Sequence, residues 1–511
     1  MSIYRGHLLT RLLVPFNVLG IKIDTSERRC LDRPNAISNL LSKHGRHRRF
    51  QRYPIGQSPW TRLQEKWLGD FLFNWLHYIM LTTSWQPHFA QVHRLEILLP
   101  LSYNKHYIAI IRWYPQGRRE SLVTESLKAS VIGEIDARRH QLSELSLKIH
   151  ANPELGFQEV KAATWLAQYL EENGFSIERG ICQLPTAFKA SYGLGKPVIA
   201  ILAEYDALPK LGHACGHNLI ATCAVGAGVA SKPAIDRFGG SIIVIGTPAE
   251  ELYGGKVVMA SRGAFDNLDI AMMMHPGVCD VATTQPLACQ ALEVEFFGQA
   301  AHAAARPEAG INAPEAMLQS FAAINSLRQH IKDKARIHGI ITDGGEAANV
   351  VPAHSAGTFL VRAEDDTYLD ELKQKVINCF IGAATASGAR LEYKWGDIRY
   401  APLRNNLTLA QLFSQNMQSL GRKMQLSDPS QTFGSTDMGN ISQLMPSIHP
   451  FVAIAPVGVV THSPRFASAA ASEAGIQGLL DAAKALAMTV VDLVANPEIV
   501  NKVKQEFQQP R

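Results

Sequence analysis

The chain has 511 residues, of which 46% are hydrophobic and 19% charged, a composition typical of a globular protein with room for two or three domains. The net charge of +5 originates in residues 1–120, which hold 18 Lys and Arg against 7 Asp and Glu, so the mildly acidic remainder argues against a nucleic-acid partner. Seven scattered cysteines, an odd number, argue against a disulfide framework and predict a cytoplasmic protein.

Residues 1–120 are predicted to form a poorly ordered basic extension, because no hydrophobic periodicity persists in them. Ile3–Ile21 resembles a targeting peptide only weakly, since no clear small-residue cleavage site follows it. Phe71–Trp85 is apolar but spans only 15 residues, fewer than the roughly 20 that a membrane-spanning helix needs. We therefore expect no membrane association.

Order is predicted from about residue 121 onward, where helical and apolar strand patterns alternate. Strands that are apolar at every position predict a mainly parallel sheet covered by helices on both faces. The fold class is therefore α/β, with catalytic-domain segments at 121–288 and 399–498 and a C-terminal tail at 499–511. The predicted elements of these segments are a helix ending near His150, helices Val160–Asn173, Leu219–Val229, Leu407–Leu420 and Ser472–Ala495, and strands Val198–Ala203, Ser241–Ile245, Ile270–Met274 and Phe451–Ala455.

The segment 289–398 changes pattern and is predicted to be a separate inserted domain. Its order of elements, βαββαβ, is that of the split ferredoxin-like unit. We expect this insert to serve as a lid over the site and as a dimerisation surface. The predicted elements are strands Ala291–Phe297, Ala335–Thr342, Ser355–Ala363 and Arg390–Trp395 and helices Ala313–His330 and Tyr368–Ser387.

Side chains able to bind metal follow the predicted strands of the larger domain, at the edge where an open α/β sheet builds its site. Such a mixture of imidazole, thiolate and carboxylate groups suits Zn²⁺ or Mn²⁺, and the number of donors indicates two ions that share a ligand. In the adjacent pair Glu250 and Glu251, one carboxylate is expected to bind metal and the other to accept a proton from water. The candidate donors are Glu204, Asp206, Cys215, His217, Glu250, Glu251, His275 and His462.

Nine segments in this order resemble the co-catalytic metallopeptidase family of aminoacylase and carboxypeptidase G. The likeness extends from about residue 123 to 490 and is greatest for the amidohydrolase branch, which includes p-aminobenzoyl-glutamate hydrolases. Residues 1–120 have no counterpart in it. The segments are His150–Phe157, Glu204–Pro209, Gly212–Asn218, Gly246–Glu251, Met274–Pro276, Gly298–Ala304, Asn349–Pro352, Gly434–Asp437 and Thr461–Pro464.

The resemblance implies a role for each matching residue. Glu250 would be the general base, and His302 would stabilise the oxyanion in the site of a neighbouring subunit. Asn349 and Arg362 would bind substrate, while Glu204 and Asp206 would orient ligands without binding metal. Asn218 is shared with dipeptidase-like and aminobenzoyl-glutamate-like relatives and favours substrates of those kinds. The implied metal ligands are Cys215 as the bridging ligand, His217, Glu251, His275 and His462.

The implied activity is hydrolysis of the amide bond of a dipeptide or N-acyl (aroyl) amino acid that carries a free carboxylate. Two divalent ions per subunit, Mn²⁺ or Zn²⁺ with Co²⁺ as a further candidate, would be the cofactors, and a homodimer through the lid is expected. A dedicated p-aminobenzoyl-glutamate hydrolase is the alternative within this chemistry. A metal-binding protein without turnover is the alternative of another class, although it would require the base or a ligand to be missing.

Several residues have competing interpretations. His449 is the rival of His462 as last ligand, but the sequence places it at the start of a strand and thus at the wrong edge of the sheet. His213 is a further candidate ligand. Arg362 could instead pair with Glu364 or Asp365 on the surface. Structural roles are predicted for His150, for a backbone turn at Gly434–Asp437, and for buried thiols at Cys279 and Cys289.

Overall fold

The computed structural model describes residues 99–102, 105–107, 116–427 and 434–509. The chain divides into two units, Met1–Val123 and Thr124–Arg511. Most of the predicted basic extension lies outside the described residues, and its order stays a prediction. The described part of the first unit contains an antiparallel strand pair, Leu99–Ser102 and Lys105–Tyr107. No helix among the described residues is long and apolar enough to cross a membrane.

The second unit is built on a six-stranded sheet with apolar, almost fully buried central strands. Four neighbouring strands are parallel and confirm the predicted α/β class, and three of them are continuous apolar strands that the sequence predicted. The fourth, Ser447–Ile448, was not predicted. Two antiparallel strands that the sequence analysis did not identify extend one edge. In spatial order the strands are Ser447–Ile448, Ile270–Met272, Val198–Ala203, Gly240–Gly246, Phe188–Leu194 and Ser176–Arg179.

Helices pack around this sheet and share one apolar core with it. The helix His217–Phe238 lies against the two central strands and also against Glu473–Ala495, and both helices are buried along most of their length. The segment predicted as a C-terminal tail, 499–511, contains most of the helix Pro497–Gln508, whose Val500 and Val503 enter the core. The remaining α-helices of this layer are Gln116–Ala137, Arg139–His150, Val160–Glu172, Glu250–Tyr253, Gly255–Ser261, Leu407–Ser419, Met438–Leu444 and Pro464–Ala470.

A smaller four-stranded sheet lies after the carboxyl ends of two main-sheet strands. The predicted strand Ile270–Met274 is divided: Ile270–Met272 belongs to the main sheet, and His275–Gly277 belongs to the smaller one. His275–Gly277 pairs in parallel with Phe451–Ala453, which therefore does not continue the main sheet. The other two strands of the smaller sheet are Val281–Thr283 and Gln425–Ser427.

The inserted segment forms a four-stranded antiparallel sheet with the strand order of a split ferredoxin-like unit, second-third-first-fourth. Two helices, Ala313–Leu327 and Asp366–Ser387, pack on it and enclose a separate apolar core. The exact domain boundaries and the role of this unit as a lid stay predictions. Its strands in spatial order are Arg336–Asp343, His354–Ala363, Ala288–Phe297 and Arg390–Tyr400, and a short ribbon pairs Ala301–His302 with Val350–Val351.

Candidate metal centre and active site

The candidate donors meet because three neighbouring parallel strands end at the same edge of the main sheet. Glu204 and Asp206 follow the strand Val198–Ala203, and Glu250 and Glu251 follow Gly240–Gly246. The third strand, Ile270–Met272, leads to His275. This is the edge at which open α/β sheets place their sites, as the sequence predicted.

Cys215 and His217 reach this edge from the start of a buried helix. Gly216, between them, has a left-handed φ of 84°, and a Cβ atom there would lie 2.6 Å from the Pro276 ring. Only glycine adopts this conformation without strain and leaves room for Pro276. Gly216 therefore allows the chain to present a thiol and an imidazole in succession.

The donor atoms form two groups that share the Cys215 thiol. Sγ of Cys215 lies 3.4 Å from His275 Nε2, and His217 completes the first group within 4.8 Å. In the second group, His462 Nε2 lies 3.3 Å from Glu251 Oε1, again with Cys215 within 4.8 Å. This arrangement would place the sulfur between two ions.

Unsatisfied buried atoms support the presence of cations at this position. Among the described residues, Glu204 Oε2 and His217 Nε2 are buried without a hydrogen-bond partner. Burial and the charge of Glu251 raise the pKa of the Cys215 thiol well above its ordinary value. A nearby divalent cation would reverse that effect and bind the thiolate. The residues present therefore fit a pair of divalent ions.

Asp206 orients two of the proposed ligands at once. Its Oδ1 lies 3.0 Å from His217 Nδ1, which leaves Nε2 of the same ring for metal, and its Oδ2 accepts the Glu251 N–H at 2.9 Å. Burial opposes ionisation of Asp206, but the charge and hydrogen bond of His217, the hydrogen bond from the Glu251 amide and the charge of Lys256 together lower its pKa. A carboxylate behind a metal-binding histidine fixes both its ring orientation and its tautomer.

Lys256 is a buried member of the site that the sequence analysis missed. Its ammonium group donates to Glu204 and, at 2.8 Å, to Asp437 Oδ1, while its backbone N–H donates to Asp437 Oδ2 at 2.9 Å. Both Lys256 and Asp437 are 0% exposed. The turn predicted at Gly434–Asp437 thus supplies a buried counter-charge, although nothing in the sequence around Lys256 signals its burial.

Substitution of Lys256 by Met should destabilise the protein by about 3–5 kcal/mol, because it leaves two buried carboxylates without a counter-charge. Urea unfolding in the presence of a chelator measures the loss without compensation from metal. The exposed Lys502 provides the matched control, and its change to Met should alter the free energy of unfolding by less than about 0.5 kcal/mol. Equal urea midpoints for the two variants would contradict this account of Lys256.

Glu250 lies beside this cluster, with one oxygen within 4.8 Å of Glu204 and Asp437. Burial raises the pKa of Glu250 well above its ordinary value, and the neighbouring charges of Glu204, Asp437 and Glu251 add to the effect. Its backbone carbonyl accepts the Tyr400 hydroxyl at 2.8 Å, a contact that links the inserted unit to the site. Divalent ions at the neighbouring donor groups would offset this rise, and the ionised carboxylate could then accept a proton from water.

His302 lies in the short ribbon of the inserted unit, and Asn349 directly precedes the second ribbon strand and accepts the Ala303 N–H on its carbonyl at 3.0 Å; both residues are exposed. His302 Nδ1 accepts the backbone N–H groups of Ala304 and Ala305, at 3.3 and 3.2 Å. The proton of a neutral ring is therefore on Nε2, which can donate outward. Within the described part of the chain, no hydrogen bond joins His302 to the donor groups of its own subunit.

Arg362 is half-buried and donates to Ser435 Oγ at 2.7 Å. Its predicted surface partners are engaged elsewhere, since Glu364 pairs with Lys334 and Asp365 lies 3.7 Å from Lys332. Arg362 thus extends from the inserted sheet toward the segment that also carries Asp437. This placement is compatible with substrate binding by Arg362.

The rival histidines are buried but lie outside the two donor groups. The argument against His449 was wrong in one respect, because His449 directly follows the main-sheet strand Ser447–Ile448 at the carboxyl edge. Its ring lies 5.5 Å from that of His275, centroid to centroid, and both of its nitrogens lack partners among the described residues, as do those of His213. His150 contacts the Ala467 carbonyl at 2.9 Å, consistent with a structural role.

Of the two thiols predicted to be buried, Cys289 is buried and Cys279 is only partly so. A partly exposed position for Cys279 follows from its location in the turn between His275–Gly277 and Val281–Thr283. Five other cysteines in the described part of the chain are free thiols: Cys182, Cys215, Cys223, Cys289 and Cys379.

The amino-acid sequence is similar to that of a known peptidase family and of individual hydrolases. Peptidase family M20/M25/M40 matches residues 200–485. A Xaa-Arg dipeptidase from Mus musculus is 35% identical, with 76% of this chain and 94% of that protein covered. A component of the p-aminobenzoyl-glutamate hydrolase of Escherichia coli (strain K12) is 30% identical, with 73% and 93% covered.

Solved structures share the fold at lower sequence identity. A dinuclear metal-binding peptidase of the M20 family from Bacillus subtilis superposes with a TM-score of 0.55 at 22% identity, covering 70% of this chain and 99% of that one. An aminobenzoyl-glutamate utilization protein from Klebsiella pneumoniae gives a TM-score of 0.56 at 17% identity, covering 70% and 97%.

Proposed function

The chain belongs to peptidase family M20/M25/M40 and is a metal-dependent hydrolase of amide bonds, and on this premise we propose that its substrate is a dipeptide with a free C-terminal carboxylate. The observation that carries the chemistry is the Cys215 thiol shared by two donor groups beside the buried Glu250. The dipeptide preference is supported by the 35% identity to a Xaa-Arg dipeptidase along nearly all of that protein.

The proposed ligands are the five residues of the two donor groups, with Cys215 between the ions. Two divalent ions, Mn²⁺ or Zn²⁺ with Co²⁺ as a further candidate, would supply Lewis-acid polarisation of the scissile carbonyl and of water. Glu204 and Asp206 would orient the ligands and remain unbound. The five ligands are Cys215, His217, Glu251, His275 and His462.

Glu250 is the proposed general base. It accepts a proton from the attacking water and returns that proton to the leaving amine nitrogen, so the carboxylate is restored after each turnover. His302 Nε2–H would donate to the carbonyl oxygen as negative charge develops there. Asn349 and Arg362 would bind the free carboxylate of the substrate and thereby position its scissile bond beside Glu250.

The proposed assembly is a cytoplasmic homodimer formed through the inserted unit. The exposed ribbon that carries His302 supports a role outside its own subunit. Exposed apolar residues on the same unit, such as Leu318, Ile340 and Ile381, are suited to an interface. The free cysteines support a reducing location.

A substrate panel tests the proposal. The purified protein is analysed for bound metal and then assayed with Mn²⁺, Zn²⁺ or Co²⁺ on dipeptides ending in Arg, Lys or Glu, on N-acyl amino acids and on p-aminobenzoyl-glutamate. The highest kcat/KM is expected for a dipeptide. A highest value for p-aminobenzoyl-glutamate would favour the second candidate, which the 30% identity to the Escherichia coli hydrolase component supports.

Replacement of Arg362 by Ala should raise KM for the best dipeptide about tenfold to a hundredfold, because a charge-assisted pair with the substrate carboxylate is lost. A dipeptide amide, which lacks that carboxylate, should be hydrolysed equally by both proteins. Lys334→Ala is the matched control, since Lys334 pairs with Glu364 on the same unit. An equal loss on the acid and the amide substrate would remove the carboxylate-binding role from Arg362.

A further inference from the structure

The backbone directly before the proposed base has an unfavourable conformation. Ala249 has φ 62° and ψ 45°, in the left-handed region, and it caps the four-residue helix Glu250–Tyr253. A residue with a Cβ atom loses roughly 1–2 kcal/mol in this region, so the surrounding structure must hold it there. The direction in which the chain leaves the strand Gly240–Gly246, and thus the position of Glu250, depends on this residue.

A buried carboxyl group from a remote segment holds Ala249. Glu159 Oε1 accepts the Ala249 N–H at 2.8 Å, although the two residues are 90 positions apart. Glu159 is 0% exposed, and its other oxygen, Oε2, has no hydrogen-bond partner among the described residues. Burial of a carboxyl group that makes no hydrogen bond destabilises the folded state by several kcal/mol. The hydrogen bond of Glu159 is made here to the amide that precedes the base.

The backbone groups of Glu250 and Glu251 are also bound by side chains from other segments. Asp206 Oδ2 accepts the Glu251 N–H at 2.9 Å, and the Tyr400 hydroxyl donates to the Glu250 carbonyl at 2.8 Å. The backbone is therefore fixed at three successive residues by side chains from three different segments. Glu159 supplies the contact at the strained position.

The segment His150–Phe157, which directly precedes Glu159, supplies no proposed ligand but contacts a second loop of the site. The carbonyl of Glu154 in this segment accepts the Ala207 N–H at 2.8 Å, beside Asp206. Glu159, two residues past the segment, binds the loop after the next strand. One short stretch thus sets the backbone of both loops that carry carboxylates to the metal centre.

We propose that Glu159 is a positioning residue of the hydrolytic site, which holds the left-handed turn at Ala249 and thereby directs Glu250 and Glu251. The inference rests on the proposed roles of those two residues. It requires an acceptor oxygen at position 159 and no negative charge. Burial raises the pKa of Glu159 to about 7, so the group is partly protonated near neutral pH and the same hydrogen bond can be made by an amide.

Two substitutions separate the hydrogen bond from the charge. Glu159→Gln retains an oxygen acceptor and should keep kcat within about threefold of the parent. Glu159→Ala removes the acceptor and should lower kcat about a hundredfold with little change in KM, since misplacement of a catalytic group by about 1 Å has that effect. Metal content per subunit, measured independently of activity, should also fall in Glu159→Ala and stay parental in Glu159→Gln.

A second-site change tests whether the strained turn is the reason for the loss. Glycine adopts a φ of 62° without strain, so Ala249→Gly in the Glu159→Ala background should recover at least about tenfold of the lost kcat. A role of Glu159 in packing alone would not be repaired by glycine at position 249. If Glu159→Ala is insoluble, Glu159→Leu, which fills the space, takes its place in the same comparison.

Parental kcat and metal content in Glu159→Ala would overturn the inference, and so would the absence of any rescue by Ala249→Gly in soluble protein. Failure of the proposed function has a different signature. In that case the parent hydrolyses none of the panel substrates, while the metal contents of the Gln and Ala variants still reveal whether Glu159 positions the turn.

Discussion

The change Glu250→Gln should lower kcat about a thousandfold while the protein still binds metal in parental amounts. The amide has nearly the shape of the carboxylate but cannot accept the proton of the attacking water, and general-base catalysis contributes in this range. Glu251, the neighbouring proposed ligand, keeps its backbone contact with Asp206, so the donor groups should stay assembled. Metal analysis and steady-state kinetics on the same sample separate the two effects.

Two comparison variants sharpen this prediction. Cys215→Ala removes the donor shared by both groups, so metal content and activity should be lost together. The exposed Glu144→Gln should leave both unchanged. Near-normal turnover by Glu250→Gln would mean that another group accepts the proton.

The main elements of the fold were predictable because buried segments appear in the sequence as continuous or periodic runs of apolar residues. The strand Val198–Ala203 was predicted with its observed bounds, since a continuous apolar run followed by polar residues marks a buried parallel strand. The two antiparallel strands Ser176–Arg179 and Phe188–Leu194 were missed because their mixed polar composition lacks a continuous apolar run. The division after Met272 was also missed, because every position of the Ile270–Met274 run is buried whichever sheet it joins.

In the candidate site, too, some residues were predictable from the sequence and others were not. The proposed metal ligands were identifiable, because imidazole, thiolate and carboxylate groups that follow buried strands are an unusual combination. Lys256 was not, since lysine is rarely buried and its burial depends on Asp437, 181 positions away. Glu159 likewise has a partner 90 positions away. Side chains whose role is to hold other residues in place are specified by tertiary contacts, which a single sequence does not display.

The last prediction concerns His302 and the subunit in which it acts. His302→Ala should lose activity nearly as completely as Glu250→Gln, although no hydrogen bond in the described part of the chain links His302 to the donor groups of its own subunit. If the proposed dimer delivers the Nε2–H of one subunit to the metal centre of the other, the two inactive variants complement each other. A mixed dimer contains one site with Glu250 from one subunit and His302 from its partner.

Equal amounts of the two variants, unfolded together and refolded with metal, should recover about a quarter of parental activity. Random assortment makes about half of the dimers mixed, and each mixed dimer has one intact site of two. Each variant refolded alone is the control and should stay inactive. Different affinity tags on the two variants allow mixed dimers to be isolated and counted. If isolated mixed dimers are inactive, His302 acts within its own subunit or has no part in catalysis, because the exposed ribbon that carries it would then not reach the partner's site.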